Sequence, residues 1–201
     1  MTLYIISGFA QSGKTTLVSL LLKDPNIVRV ITCTSRKPRE GERDKVDYYF
    51  LKEDEFKDQN KFIETAVVHG NYYGTLREEV KKKLESEKKV VWVMDVQGVD
   101  TILKKHKDLD KEIITIFITP EKFTTLIQRI RLKGDTNSEQ RIESVRKELK
   151  YLALFRYLVN SSKKIEESLD DIKGIIYNDK EKIKRIEEFT KNFKVDKFLR
   201  S

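Results

Sequence analysis

Apolar positions fall into short runs parted by charged stretches, and the runs alternate in kind. Residues 2–7 (TLYIIS) form a β-rich apolar run that predicts a buried strand. Residues 8–14 make a glycine-flanked turn, and residues 15–23 (TTLVSLLLK) carry leucines at helical spacing up to the stop signal Asp24-Pro25-Asn26. Residues 27–33 (IVRVITC) predict a second strand. Strand, loop, helix, strand is the opening of an α/β fold on a parallel sheet.

The pattern changes between 34 and 88. Residues 35–45 are polar, with Pro38 and Gly41, and predict a loop; 48–51 predict a short strand, 52–60 a helix, 62–68 a strand, 70–74 (GNYYG) a turn and 76–88 an amphipathic helix. These residues predict a small inserted mixed α+β lobe. The alternation then resumes. Residues 90–94 (VVWVM) form the continuous apolar run expected of a strand buried on both faces. After it come a helix (97–106), a strand (113–118), helices at 121–132 and 138–154, a short strand (157–159) and helices at 165–176 and 180–193; the last residues, VDKFLRS, carry no readable signal. The predicted domains are a core of 1–33 and 89–201, holding a helical lid at about 127–150, and a lobe at 34–88.

The chain has 201 residues, 38% apolar and 37% charged, against about 25% charged for an average domain. That length supports a core without staples, and the single cysteine, Cys33, excludes an internal disulfide. No apolar stretch approaches the ~18 residues a membrane span needs, and the start lacks the pattern of a signal peptide, so a cytoplasmic protein without membrane contact is expected. Lys and Arg number 41 against 33 Asp and Glu, a net charge of +8. The signs are interspersed, which fits a solvated surface and a ligand such as a small polyanion rather than nucleic acid. His69 and His106 have no partners at metal or triad spacing.

Four groups of residues carry chemistry. Gly8-Phe9-Ala10-Gln11-Ser12-Gly13-Lys14-Thr15 is a complete G-x-x-x-x-G-K-[ST] phosphate loop between a predicted strand and helix. Its backbone N–H groups form an anion cradle at a helix N-terminus, Lys14 reaches the β- and γ-phosphates, and Thr15 offers a hydroxyl to Mg²⁺. The stretch 36–45 holds five basic residues, either a guanidinium clamp on a second phosphate or a solvated loop. Asp95 ends the strand at 90–94, where ligands bind in open α/β sheets; it is read as ligand-facing, as a helix cap, or as both. Arg129, Arg131, Lys133, Arg141, Arg146 and Lys147 flank Gly134, the pattern of a closing lid or of a surface hairpin.

Taken in order, these motifs resemble guanylate kinases over nearly the whole chain. The resemblance rests on the P-loop, the string T-x-x-S-R-K-P-R-x-G-E at 32–42 followed by Val46-Asp47-Tyr48, Phe62-Ile63-Glu64, GNYYGT at 70–75, DVQGV at 95–99 and RIRLKGDT at 129–136. It implies a P-loop three-layer parallel-sheet core with an inserted nucleotide-binding lobe and a lid, and the reaction of ATP with GMP (or dGMP) to give ADP and the diphosphate, assisted by Mg²⁺. It implies an ATP site of Gly8, Ala10, Gln11, Ser12, Gly13, Lys14, Thr15, Thr16 and, on the adenine side, Asn160. It implies that Arg36, Arg39, Tyr48 and Tyr73 hold the GMP phosphate, and that Glu64 pairs with the guanine N1–H and amine, helped by Thr32 and Thr75. Asp95 and Gly98 complete that side, with Asp95 and Thr15 toward Mg²⁺. Lys14, Arg39, Arg129, Lys133 and Arg141 are the implied catalytic cations. A monomer or homodimer is expected.

The chain departs from the family pattern at several points. Phe9-Ala10-Gln11-Ser12 replaces the usual loop interior, Val93 stands where an acid is common, Lys133 where arginine is usual, and Ser161 follows Asn160 where aspartate is common. The lid is about two residues short. These departures leave two alternatives beside the GMP kinase: an altered monophosphate preference, such as dGMP or IMP, and a catalytically weak binding module.

Overall fold

A computed structural model describes residues 2–68, 70–105, 112–133 and 138–201. The chain divides into two compact units, one of residues 1–5 and 26–113, the other of residues 6–25 and 114–201. Residues 34–88, the predicted lobe, fall within the first.

The first unit contains the start of strand β1 (Thr2–Gly8), with β7 (Lys89–Val93) and β2 (Ile27–Val30) in the order β2-β7-β1. Strands β2 and β7 pair in parallel, Val30 opposite Trp92. A second sheet has the order β4-β3-β6-β5, from β3 (Cys33–Thr34), β4 (Tyr49–Phe50), β5 (Phe62–Val68) and β6 (Asn71–Leu76). Helices α2 (Arg77–Leu84) and α3 (Val96–Lys105) complete the unit. Cys33, Phe56 and Phe62 form the core of the second sheet, with the Phe56 and Phe62 rings stacked at 5.0 Å.

Three expectations are corrected here. The run 27–33 is two strands in two sheets, β2 and β3, parted at Ile31 and Thr32. Residues 52–60 form two short 3₁₀ turns, Glu53–Lys57 and Gln59–Lys61. The string GNYYG is mostly strand. Its turn is confined to Gly70, at φ 77°, and β6 then pairs antiparallel with β5 from Asn71 onward. Gly74 fits because a β-carbon there would lie 2.9 Å from the Glu64 carbonyl oxygen.

The second unit contains the end of β1, with β8 (Glu112–Thr119) and β9 (Tyr157–Asn160) in the order β1-β8-β9; β8 and β9 are parallel. Around them lie α1 (Lys14–Leu21), α4 (Phe123–Leu132), α5 (Ser138–Glu148), α6 (Ile165–Ile176), α7 (Lys180–Asn192) and α8 (Val195–Leu199). The predicted helix at 138–154 changes to a 3₁₀ turn after Glu148. The tail read as featureless forms α8, whose Phe198 is buried. Asp171 on α6 is 1% exposed and ion-paired to Lys163 at 2.9 Å and to Arg185 of α7, so two cations offset one buried charge. His106 and the lid glycine, Gly134, lie outside the described residues, as does His69.

Candidate functional site

In the second unit, β1 ends in the loop 8–13 and α1 begins at Lys14. Gln11 and Gly13 take left-handed backbone, φ 60° and 92°, in the kind of turn that makes successive N–H groups converge. Gly8 packs so closely that a β-carbon there would lie 2.6 Å from the Ile118 carbonyl oxygen and 2.8 Å from Ser12 Oγ. Among the described residues, Ser12 Oγ is buried without a hydrogen-bond partner. Lys14 Nζ donates to the Gly8 carbonyl at 2.8 Å, across the mouth of its own loop. Thr15 and Thr16 are exposed on the first turn of α1, whose N-terminal N–H groups favour an anion.

A cavity of about 400 Å³ opens beside this loop, lined by Gln11, Ser12, Arg129, Leu132, Ser161 and Lys163 among others. Arg129 of α4 donates to the Ser161 carbonyl at 2.8 Å and to Ser161 Oγ at 3.3 Å. Asn160 Oδ1 accepts from Ser162 N–H at 2.8 Å, shaping the turn after β9. Lys133 is exposed and Arg141 half-buried. Sequence reasoning missed Lys163 and Leu132 as cavity residues; the 87% exposure of Leu132 has no local signature.

In the first unit, the loop after β3 carries a compact ion pair. Arg36 Nη1 and Nη2 donate to Glu42 Oε2 and Oε1 at 2.8 and 3.0 Å, a bidentate fork. Arg39 N–H donates to Glu42 Oε2 at 2.7 Å. Burial works against the Glu42 carboxylate, but the Arg36 fork and the Arg39 amide outweigh it and hold its pKa below the usual range. The Arg36 guanidinium lies 5.4 Å from the Tyr48 ring and 5.9 Å from Phe50, and Tyr48 meets Tyr73 edge-on at 6.3 Å. Among the described residues, Arg36 Nε is buried without a hydrogen-bond partner. The Arg39 side chain is exposed. Sequence reasoning placed these cations but not Glu42 as their organiser.

Glu64 sits on β5, 7% exposed. Thr75 Oγ1 on β6 donates to Glu64 Oε1 at 2.7 Å and accepts from Trp92 Nε1 at 3.1 Å. A β-carbon on Gly98 would lie 3.3 Å from Glu64 Oε2, so glycine leaves that oxygen room. Burial pushes the Glu64 pKa up to about 7; the Thr75 bond opposes this and the Asp95 charge adds to it. Asp95 Oδ1 accepts from Gln97 and Gly98 N–H at 2.7 and 3.1 Å, so it caps the start of α3. Thr32 is half-buried, its carbonyl accepting from Tyr49 N–H at 2.9 Å.

The guanylate kinase family model matches residues 1–179. This chain belongs to the guanylate kinase family. It is 37% identical over 184 residues to the guanylate kinase of Fusobacterium nucleatum, covering 88% of this chain and 96% of that one. It is 32% identical over 202 residues to that of Thermotoga maritima, covering 96% and 95%. Among solved structures, the guanylate kinase of Anaplasma phagocytophilum matches with a TM-score of 0.71 at 26% identity, over 89% of this chain and 85% of that one. Family membership makes the chain an enzyme, a nucleotide-binding kinase, on an α/β fold with a parallel-sheet core. Among the described residues, no helix is long and apolar enough to cross a membrane.

Proposed function

We propose that the chain transfers the γ-phosphoryl group of ATP to GMP, giving ADP and GDP. The observation that carries the choice of guanine is Glu64, a buried carboxylate with one oxygen held by Thr75 and the other left room by Gly98. Guanine presents two adjacent donors, N1–H and the exocyclic amine, which one ionised carboxylate accepts together. Adenine offers an acceptor at N1, and a buried carboxylate left unpaired by the wrong base is a strong discriminator.

The chemistry asks for position and charge rather than covalent help. A phosphate oxygen of GMP attacks the γ-phosphorus, the bond from that phosphorus to the β–γ bridging oxygen breaks, and ADP leaves with the electron pair. Lys14 gives up its bond to the Gly8 carbonyl for the β- and γ-oxygens, while the loop N–H groups and Thr16 cradle the phosphates. Arg36, Arg39, Tyr48 and Tyr73 hold the acceptor phosphate, and the unpartnered Arg36 Nε is one donor already desolvated for it. Arg129, Lys133 and Arg141 supply positive charge from the lid, and Asn160 borders the adenine.

Among the described residues no cluster of three or more His, Cys, Asp or Glu could hold a metal by itself. The exposed Thr15 hydroxyl suits Mg²⁺, which keeps its waters and takes phosphate oxygens plus one or two protein oxygens. When bound it would neutralise charge on the β- and γ-oxygens.

A coupled assay of ADP release with GMP, dGMP, IMP and AMP tests the reading. GMP is expected to give the highest kcat/KM and AMP essentially none. Equal rates with AMP would remove the role of Glu64, and no turnover with any acceptor would favour a binding module.

A further inference from the structure

Phe9 occupies the first variable position of the phosphate loop, yet it is 1% exposed. Its ring meets Phe117 of β8 edge-on at 4.7 Å and stacks on Phe198 of α8 at 5.9 Å, with 16° between the planes. Phe198 also packs on Phe193 at 5.1 Å and on Phe123, the first residue of α4, at 5.5 Å. The loop that should cradle phosphate therefore rests on an aromatic cluster completed by the last helix.

The same segment touches α4 by a second route. Lys122 stands at the N-cap of α4 and makes no side-chain cap bond there. Instead, Phe123 N–H donates to Ser201 Oγ at 3.0 Å and Thr124 N–H to the Ser201 main-chain oxygen at 3.2 Å. Ser201 Oγ in turn donates to the Phe198 carbonyl at 2.6 Å. Two amides that would lack partners at a helix start are thus satisfied from beyond α8. Helix α4 carries Arg129, which shares the 400 Å³ cavity with Ser12 and Gly13 of the loop. Residues 180–201, which include α7 and α8, lie outside the segment matched by the family model.

We infer that Phe198 is a positioning residue of the nucleotide site: it braces Phe9 of the phosphate loop while Ser201 caps the helix bearing Arg129, so that docking of α8 and binding of ATP stabilise each other. This rests on the reading that the loop at 8–15 binds ATP. Linkage makes the coupling reciprocal, so it has to appear from both ends.

Calorimetry with ATP and MgCl₂, and separately with GMP, on the wild type, Phe198→Ala and Phe198→Leu measures one end. Phe198→Ala is expected to weaken ATP by about tenfold, within the usual range of coupling. GMP affinity stays unchanged, and Phe198→Leu recovers most of the ATP affinity. Hydrogen exchange on the wild type measures the other end and needs no variant to fold. Saturating ATP should slow exchange of the Phe198 and Arg200 amides, which donate to the Lys194 and Asp196 carbonyls. ATP affinity equal to wild type in Phe198→Ala, or ATP and GMP weakened alike, overturns the inference, as does α8 exchange indifferent to ATP. A wild type that binds no ATP removes the phosphate-loop reading itself, and this inference with it.

Discussion

Thr75 Oγ1 donates to Glu64 Oε1 at 2.7 Å while accepting the indole N–H of Trp92 at 3.1 Å. The hydroxyl gives its one proton to the carboxylate, while one of its lone pairs takes the Trp92 N–H. Glu64 is therefore oriented before any ligand arrives, but one bond does not offset its burial, and its pKa lies near 7.

Base recognition should accordingly depend on pH. Guanosine is the clean probe, because it has no phosphate to titrate. Ionised Glu64 accepts both guanine donors and the neutral acid does not, so affinity falls as pH drops through about 7. The inhibition constant of guanosine is expected to rise about tenfold from pH 8 to pH 6. A flat profile across that range would remove Glu64 as the base reader.

The same burial has a cost in stability. The folded-state pKa of about 7 stands above the ordinary 4.5, so the native state binds this proton more tightly than the unfolded chain does. Stability from this group is full below about pH 4.5 and is lost as pH rises toward 7, by on the order of 3 kcal/mol. Glu64→Gln keeps an oxygen for Thr75 and has nothing to ionise. Its Tm should match the wild type near pH 5 and exceed it at pH 8, while GMP turnover collapses and ATP affinity persists. An equal Tm difference at both pH values would argue against a strained carboxylate.

Lys14→Ala should separate catalysis from folding. The ammonium bonds the Gly8 carbonyl at 2.8 Å from a half-exposed position, and its loss there should shift stability by no more than about 0.5 kcal/mol. Losing charge on the transferring group should lower kcat by at least about 10²-fold. ADP release in the coupled assay and the melting temperature read the two effects; unchanged ADP release would dismiss the lysine from the reaction.

What could be read in advance follows locality. The phosphate loop is written in eight consecutive residues, and its strand and helix flank it directly, so its chemistry is legible from composition and spacing. Glu64 is not: its proposed role as base reader depends on Thr75 and Trp92, which other strands deliver, and only resemblance to the family points to it. The string GNYYG looks like a turn because glycine and asparagine dominate local preference, yet pairing with β5 wins over that preference. Residues 27–33 look like one strand because periodicity does not say which sheet a residue joins. Helix α8 is five residues long, and its anchor, Phe198, packs on Phe9 and Phe123, far away along the chain, so nothing local announces it.

Gly8→Ala tests how closely β1 and β8 must approach. The added carbon would fall 2.6 Å from a main-chain oxygen, Ile118 O, which has no rotamer to yield. Overpacking of this kind costs about 1–3 kcal/mol, and relief by a shift of the loop would also spoil the cradle. Both Tm and ATP affinity should drop, whereas guanosine binding should not. Wild-type Tm and ATP affinity in this variant would refute the close approach.

Arg36→Lys distinguishes a fork from a charge. The guanidinium bonds both oxygens of Glu42 at 2.8 and 3.0 Å, bonds the Lys37 carbonyl at 2.7 Å, lies over the Tyr48 ring, and still keeps Nε without a partner. An ammonium has three donors around one nitrogen and no plane to stack. It would hold Glu42 or a phosphate, but it could not hold both in the present geometry. Hydrogen bonds to charged groups contribute about 1.5–3 kcal/mol, so KM for GMP is expected to rise by about 10- to 100-fold. The guanosine inhibition constant should stay put, because guanosine has no phosphate to lose. Equal weakening of GMP and guanosine would mean that Arg36 shapes the base site instead, and an unchanged KM would mean that charge alone suffices at this position.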